Sequence, residues 1–89
     1  MVKPRLDQVL VWQEQGRAVV QVEFFDHLGK LRREVFHRAT RNLEQALEEV
    51  AGELAERGMQ GQPRVRRRQG NRLMAAPELQ QLFWEVLNS

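Results

Sequence analysis

Apolar and polar residues alternate through residues 18–36, AVVQVEFFDHLGKLRREVF, in a pattern that predicts two strands joined by a turn. Val20, Val22 and Phe24 recur at the strand period of two, so they share one face of a pleated surface. Asp26 and Gly29 supply the turn: Asp bonds its own following backbone, and Gly accepts the left-handed conformation that closes such loops. A four-residue loop over 26–29 sets Leu31 opposite Phe24, Arg33 opposite Val22 and Val35 opposite Val20. A three-residue loop would instead pair Phe24 with Arg32 and Val22 with Glu34, and because a one-residue slip turns a whole strand over, the four-residue loop is expected. Upstream, residues 9–14 predict a further strand entering through a tight turn at Gln15-Gly16, with Glu14 opposite Arg17, Val11 opposite Val20 and Val9 opposite Val22. The expected core face is therefore Val9, Val11, Val20, Val22, Phe24, Leu31 and Val35. The other face would carry Leu10, Trp12, Val19, Phe25 and Phe36 beside Arg17, Gln21, Glu23, Arg32 and Glu34. A solvated face is usually more polar than this, so a cover is expected.

After the strands the period changes. Thr40 or Asn42 can cap a helix, with Gln45 able to close a capping box on Asn42. Leu43, Ala46, Leu47, Val50, Ala51 and Leu54 follow as an amphipathic stripe, and Gly58 is a natural stop. A helix is expected over 40–57, its stripe on the core face and Glu44, Glu48, Glu49, Glu53 and Glu56 outward. Residues 59–76 are rich in Gly, Gln and Arg and read as a basic arm, a loop or a short edge strand, the last suggested by Arg64, Arg66 and Arg68 alternating around Val65. Pro77 suits a first helical position, and Leu79, Leu82, Phe83, Val86 and Leu87 predict a C-terminal helix over 77–88. Trp84 lies off that stripe, which is expected to pack on the second sheet face or on another molecule. The expected architecture is a single α+β domain over 1–89: a three-stranded antiparallel meander over 9–36, one amphipathic helix on it, a basic arm and a C-terminal helix.

Composition narrows the chemistry. The chain has 89 residues and no cysteine, which excludes disulfides and thiolate metal ligation. The opening MVKPRLDQ lacks an apolar signal core, and no run approaches the roughly 18 apolar residues of a membrane span, so a cytoplasmic protein with no membrane partner is expected. His27 and His37 are the only histidines, and neither has ligand-like or proton-transfer partners in its spacing. Glu44, Glu48 and Glu49 fall on the expected wet face of a helix. There is no Gly-rich phosphate loop, nucleophile elbow or Ser/His/Asp set. The expectation is a non-enzyme with no cofactor, metal or small-molecule substrate.

The stretch from 16 to 58 combines three strands, an Asp26-His27-Leu28-Gly29-Lys30 turn, a basic third strand ending in Phe36 and a helix led by Thr40. It resembles the small sheet-type arm-binding domain at the start of tyrosine integrases, over about half of the chain. In that family the sheet face away from the helix enters the DNA major groove, so the resemblance implies that Arg17, Arg32 and Lys30 lie near DNA. The chain departs from the family in carrying Glu23 and Glu34 on that face, and its 89 residues hold no recombinase catalytic domain.

Charge supplies the remaining signal. Net charge is +2, from 14 basic and 12 acidic residues, but the signs are separated along the chain. Arg64, Arg66, Arg67, Arg68 and Arg72 stand together without an acid, and Arg forks suit phosphate or carboxylate. This cluster, with Arg17 and Arg32, is the candidate nucleic-acid contact. The cluster would equally serve to neutralise the acidic face of the first helix, within one chain or between two. Trp12, Phe36, Phe83 and Trp84 are the candidate interface residues of the alternative, a protein-interaction or homodimer module using the C-terminal helix and the second sheet face.

Overall fold

The computed structural model describes residues 3–89. Its elements in chain order are β1 (Arg5–Glu14), β2 (Arg17–Phe25), β3 (Leu31–Arg38), α1 (Leu43–Glu56), β4 (Arg64–Gln69), β5 (Arg72–Ala75) and α2 (Pro77–Leu87). The class is α+β, with a five-stranded sheet of order β3-β2-β1-β4-β5 in place of the expected three strands. β1 pairs with β4 in parallel and every other neighbouring pair is antiparallel. What the sequence suggested as an arm is thus a β-hairpin, turned at Gly70-Asn71, with β4 inside the sheet and β5 at its edge.

The first hairpin has the expected register: Glu14 opposite Arg17, Val11 opposite Val20 and Val9 opposite Val22. β1 begins four residues earlier than expected. A bulge between Leu6 and Gln8 returns Leu6 to the core side, where it is buried.

The second hairpin corrects the expectation. Its loop holds five residues, 26–30, so Phe25 faces Leu31, Phe24 faces Arg32, Val22 faces Glu34 and Val20 faces Phe36. The whole of β3 is turned over relative to the expected pairing. Leu31 and Val35 are 55% and 43% exposed, whereas Phe36 is 7% exposed and belongs to the core. The loop chemistry explains the extra residue. The Asp26 Oδ1 atom accepts the backbone N–H groups of Leu28 and Lys30, both at 2.9 Å, and its Oδ2 accepts Arg32 Nε at 2.9 Å. The backbone N–H of Asp26 also donates to the Lys30 carbonyl. Asp26 therefore organises the turn through Lys30 and holds Arg32 on the helix side of β3. One large aromatic ring gains more by burial than Leu31 and Val35 at an edge strand.

α1 starts at Asn42, whose side chain accepts the Gln45 N–H at 3.1 Å. Gln45 directs its own side chain to the Thr40 hydroxyl. All six residues of the expected α1 stripe are buried, packed against Val9, Val11, Val20, Val22 and Phe36.

α2 lies beside α1 on the same side of the sheet and not on the second face. Phe83 and Leu87 enter the common core with Leu47 and Val65. Three hydrogen bonds fix the helix end of the chain to β4 and the segment before it: Val65 N–H to Gln80 Oε1 at 3.0 Å, Trp84 Nε1 to the Pro63 carbonyl at 2.7 Å and Asn88 Nδ2 to the Gly61 carbonyl at 3.3 Å. Gly61 has φ +125°, and a Cβ there would stand 2.9 Å from the Leu6 carbonyl, so the close approach of this segment to β1 requires glycine. Two helices on one face leave the other without a helix over it.

The turned-over β3 makes a direct test by denaturant unfolding. Phe36→Ala is expected to cost about 3 kcal/mol or more, and Val35→Ala about 0.5 kcal/mol or less; the reverse order would restore the four-residue loop. The hydrogen bonds from Arg32 and from the Lys30 backbone hold the Asp26 carboxyl down at about 2, below the ordinary value of about 3.9. Its contribution to stability is full above about pH 4 and is lost as pH falls towards about 2. Asp26→Asn is expected to flatten that part of the acid limb, read as the unfolding midpoint against pH; an unchanged limb would remove Asp26 from it.

Candidate nucleic-acid interface

The period of two that buries Val65 opposite Val9 sends its neighbours the other way. Arg64 lies beside Gln8 and Arg66 beside Leu10 in the parallel pairing. Arg64, Arg66 and Arg68 therefore point to the helix-free face, with Arg68 reaching Trp12: its guanidinium carbon sits 3.9 Å from the centroid of the indole. Arg66 donates through Nη2 to Gln8 Oε1 at 2.7 Å. Arg67 and Arg72 fall on the helix side, facing Met74 and Gln69 across the β4–β5 hairpin. The strand thus splits the Arg cluster three to two.

Next to these arginines the open face carries Leu10, Trp12, Val19, Gln21, Glu23 and Phe25 from β1 and β2. Leu31, Arg33, Val35 and His37 join from β3, and Leu73 and Ala75 from β5. Arg17 and Glu14 close the β1–β2 hairpin end. Val19 is buried even though it lies outside the helix-side core, whereas Leu73 is largely exposed. Trp12 Nε1 and Arg66 Nε are buried without a hydrogen-bond partner.

The register changes which charges share this face. Arg32 was expected here and is on the helix side, tied to Asp26. Glu34, also expected here, has gone with it and accepts Arg57 Nη1 at 2.8 Å. Arg33 has come onto the open face, 3.6 Å from Glu23. The open face thus gathers Arg5, Arg17, Arg33, Arg64, Arg66 and Arg68 beside Glu14 and Glu23, and Glu23 is the partner of Arg33.

Ion pairing distinguishes the two uses suggested for the Arg cluster. The acidic face of α1 is served by Arg38 and Arg57: Arg38 Nη2 reaches Glu53 Oε2 at 2.6 Å and Arg38 Nε reaches Glu49 Oε1 at 3.8 Å. Arg57 bridges Glu34 and Glu53, and its hydrogen bond to Glu34 raises its already high pKa. Both guanidinium groups also lie over the Phe36 ring, at 5.6 and 5.7 Å. Among the described residues none of Arg64, Arg66, Arg67, Arg68 and Arg72 pairs with a carboxylate. Among the described residues the close ion pairs of α1 are thus made by Arg38 and Arg57 and not by this cluster.

The candidate interface aromatics separate in the same way. Phe36 and Phe83 are interior side chains, and Trp84 packs against the core with its N–H on the Pro63 carbonyl. Of the four, Trp12 alone belongs to the open face. The sequence did not mark Gln8 or Arg33 as members of this surface; the signal for Gln8 was a β1 beginning at Arg5, and for Arg33 the five-residue loop.

Several shallow clefts lie nearby. One of about 320 Å³ is lined by Trp12, Gln13, Glu14, Arg67, Arg68 and Gly70 at the end of the β1–β4 pair. Another of about 740 Å³ lies at the opposite end, between Lys3, Arg5, Phe25, His27 and Leu28. Among the described residues no group of three His, Cys, Asp or Glu side chains is placed to hold a metal ion, and no helix is long and apolar enough to cross a membrane. No family model matches the chain, and no similar chain emerges among curated proteins or solved structures.

Proposed function

We propose that this protein binds nucleic acid through the helix-free face of its sheet. The observation that carries the reading is the row of Arg64, Arg66 and Arg68 on one face of β4, without carboxylate partners, beside a tryptophan. Guanidinium groups at every second strand position stand about 7 Å apart and repel one another, so an anionic partner is stabilising. A phosphodiester backbone offers the matching row of charges, and each contact releases condensed counterions. Arg17 extends the basic surface along β2, and Arg33 adds a group whose pairing with Glu23 at 3.6 Å is loose enough to exchange.

The resemblance to integrase arm domains, drawn from residues 16–58, is compatible with this face being the working surface, because α2 leaves it open. A second reading, in which two copies meet through the open face, draws on the exposed Leu31, Val35 and Leu73. The α2 stripe plays no part in that contact, since Phe83 and Leu87 are core residues.

Binding of labelled DNA and RNA across a salt series tests the proposal, with oligomeric state measured in the same samples. The expected log-log salt slope is about −2 to −4, from roughly three to five phosphate contacts. Replacing Arg64, Arg66 and Arg68 together with Ala is expected to flatten that slope and to leave the unfolding midpoint nearly unchanged. A stable dimer with no nucleic-acid binding at about 50 mM salt, a level at which phosphate contacts are strong, would contradict the proposal and favour the second reading.

A further inference from the structure

Resting on the nucleic-acid reading above, we infer that the open face takes a single strand, with at least one base stacked on Trp12, and not the groove of a duplex. Width gives the first reason. Five strands at the usual spacing put the outer two about 19 Å apart, whereas the major groove of B-DNA is about 12 Å wide. A three-stranded sheet enters such a groove; this one, with β4 and β5 added beside β1, is too broad to lie flat in it. The arginines of β4 sit inside the sheet, not on a protruding edge, and the walls of a duplex would meet β3 and β5 before the bases reached them.

The second reason is the chemistry around Trp12. Trp12 stands opposite Val19 of β2, and the Arg68 guanidinium carbon lies 3.9 Å from the centroid of its ring. Arg68 covers it by a cation–π contact, which at a partly exposed site is worth little and is easily exchanged for a base. An unstacked base entering between the two planes keeps a π face beneath it and a guanidinium above it. Only a single strand presents bases in this way, because in a duplex the base faces are stacked on each other.

The third reason is the arrangement along β1. Phe25 and Arg5 lie opposite one another at the far end of the sheet, roughly 20 Å from Trp12 at the rise of a strand. Phe25 is half-buried and borders the cleft that also holds Lys3 and Arg5. An aromatic ring with adjacent cations therefore stands at each end of the face, with Leu10, Gln8, Arg64 and Arg66 between them. A strand laid along β1 meets a base platform, a basic middle and a second platform, a site of about four nucleotides, at the short end of those known for single-strand binders. Glu23 interrupts the middle, and its pairing with Arg33 leaves room for a phosphate only on the β4 side, which sets the path of the backbone over Arg64 and Arg66.

The test is a fluorescence titration of the intact protein with oligothymidylate, oligouridylate and a mixed-sequence duplex, each about twelve nucleotides or base pairs long. Single strands are expected to bind about tenfold or more tightly than the duplex and to quench tryptophan emission. Trp12→Phe keeps a π face and is expected to retain binding while losing the quench, Trp84 being held on the helix side. Trp12→Ala is expected to weaken single-strand binding about tenfold with little effect on whatever duplex binding exists. The DNA and RNA arms show whether the sugar matters. Duplex binding equal to single-strand binding, or saturation without a Trp12-dependent change in emission, would overturn this inference and leave the broader nucleic-acid reading standing. Failure of all three probes to bind would overturn both.

Discussion

Val65 is the only apolar side chain in β4, and its burial decides where four arginines go. The side chain is 1% exposed, pressed between Val9 of β1 and the α2 layer, while its backbone N–H is held by Gln80. Once Val65 points inward, the strand period leaves no choice: Arg64, Arg66 and Arg68 face outward on the far side and Arg67 shares the helix side. The favourable burial of one isopropyl group and the docking of Phe83 beside it thus offset the mutual repulsion of three like charges in a row. Without that anchor the segment would have no reason to join the sheet, and the basic residues would be dispersed on a solvated loop.

The same layer arrangement sorts the remaining charges. Both helices occupy one face, so the carboxylates of α1 and the cations that neutralise them, Arg38 and Arg57, are gathered around Phe36 on that side. Exposed ion pairs of this kind add little to stability. Their consequence is spatial: Arg38 and Arg57 are engaged by Glu34, Glu49 and Glu53 on the helix side, and the arginines of β4 are left on the open face without such partners. A net charge of +2 understates the field there, because cations outnumber carboxylates on that side of the sheet.

Much of this was legible where a pattern had no competitor. The Gln15-Gly16 turn joins strands whose valines agree in only one register, and the α1 stripe has one apolar side; both stand as expected. The β3 register was not legible because Leu31 and Val35 look as much like core residues as Phe36 does. The decision lies in Asp26, which bonds through to Lys30 and lengthens the loop by one residue, a geometric preference that alternation does not encode. β4 and β5 hid behind their composition: one valine among arginines carries no periodic signal, although Gly70-Asn71 is a plausible hairpin turn. For α2 the stripe showed that Phe83 and Leu87 must be buried, but a stripe does not say which surface receives it. That answer depends on Trp84 and Gln80 finding partners in residues 63–65. As for the site, the Arg cluster was visible in the sequence, and its division between two faces was not.

The arginine side-chain Nε–Hε resonances, followed by NMR as a single-stranded oligonucleotide is added, report most directly on whether the open face is the working surface. The account predicts shifts at Arg64, Arg66 and Arg68 and at the Trp12 indole, with Arg38 and Arg57 unmoved in their pairs on the helix side. Shifts concentrated at Arg38, Arg57 or Arg67, with the open-face arginines unchanged, would contradict it.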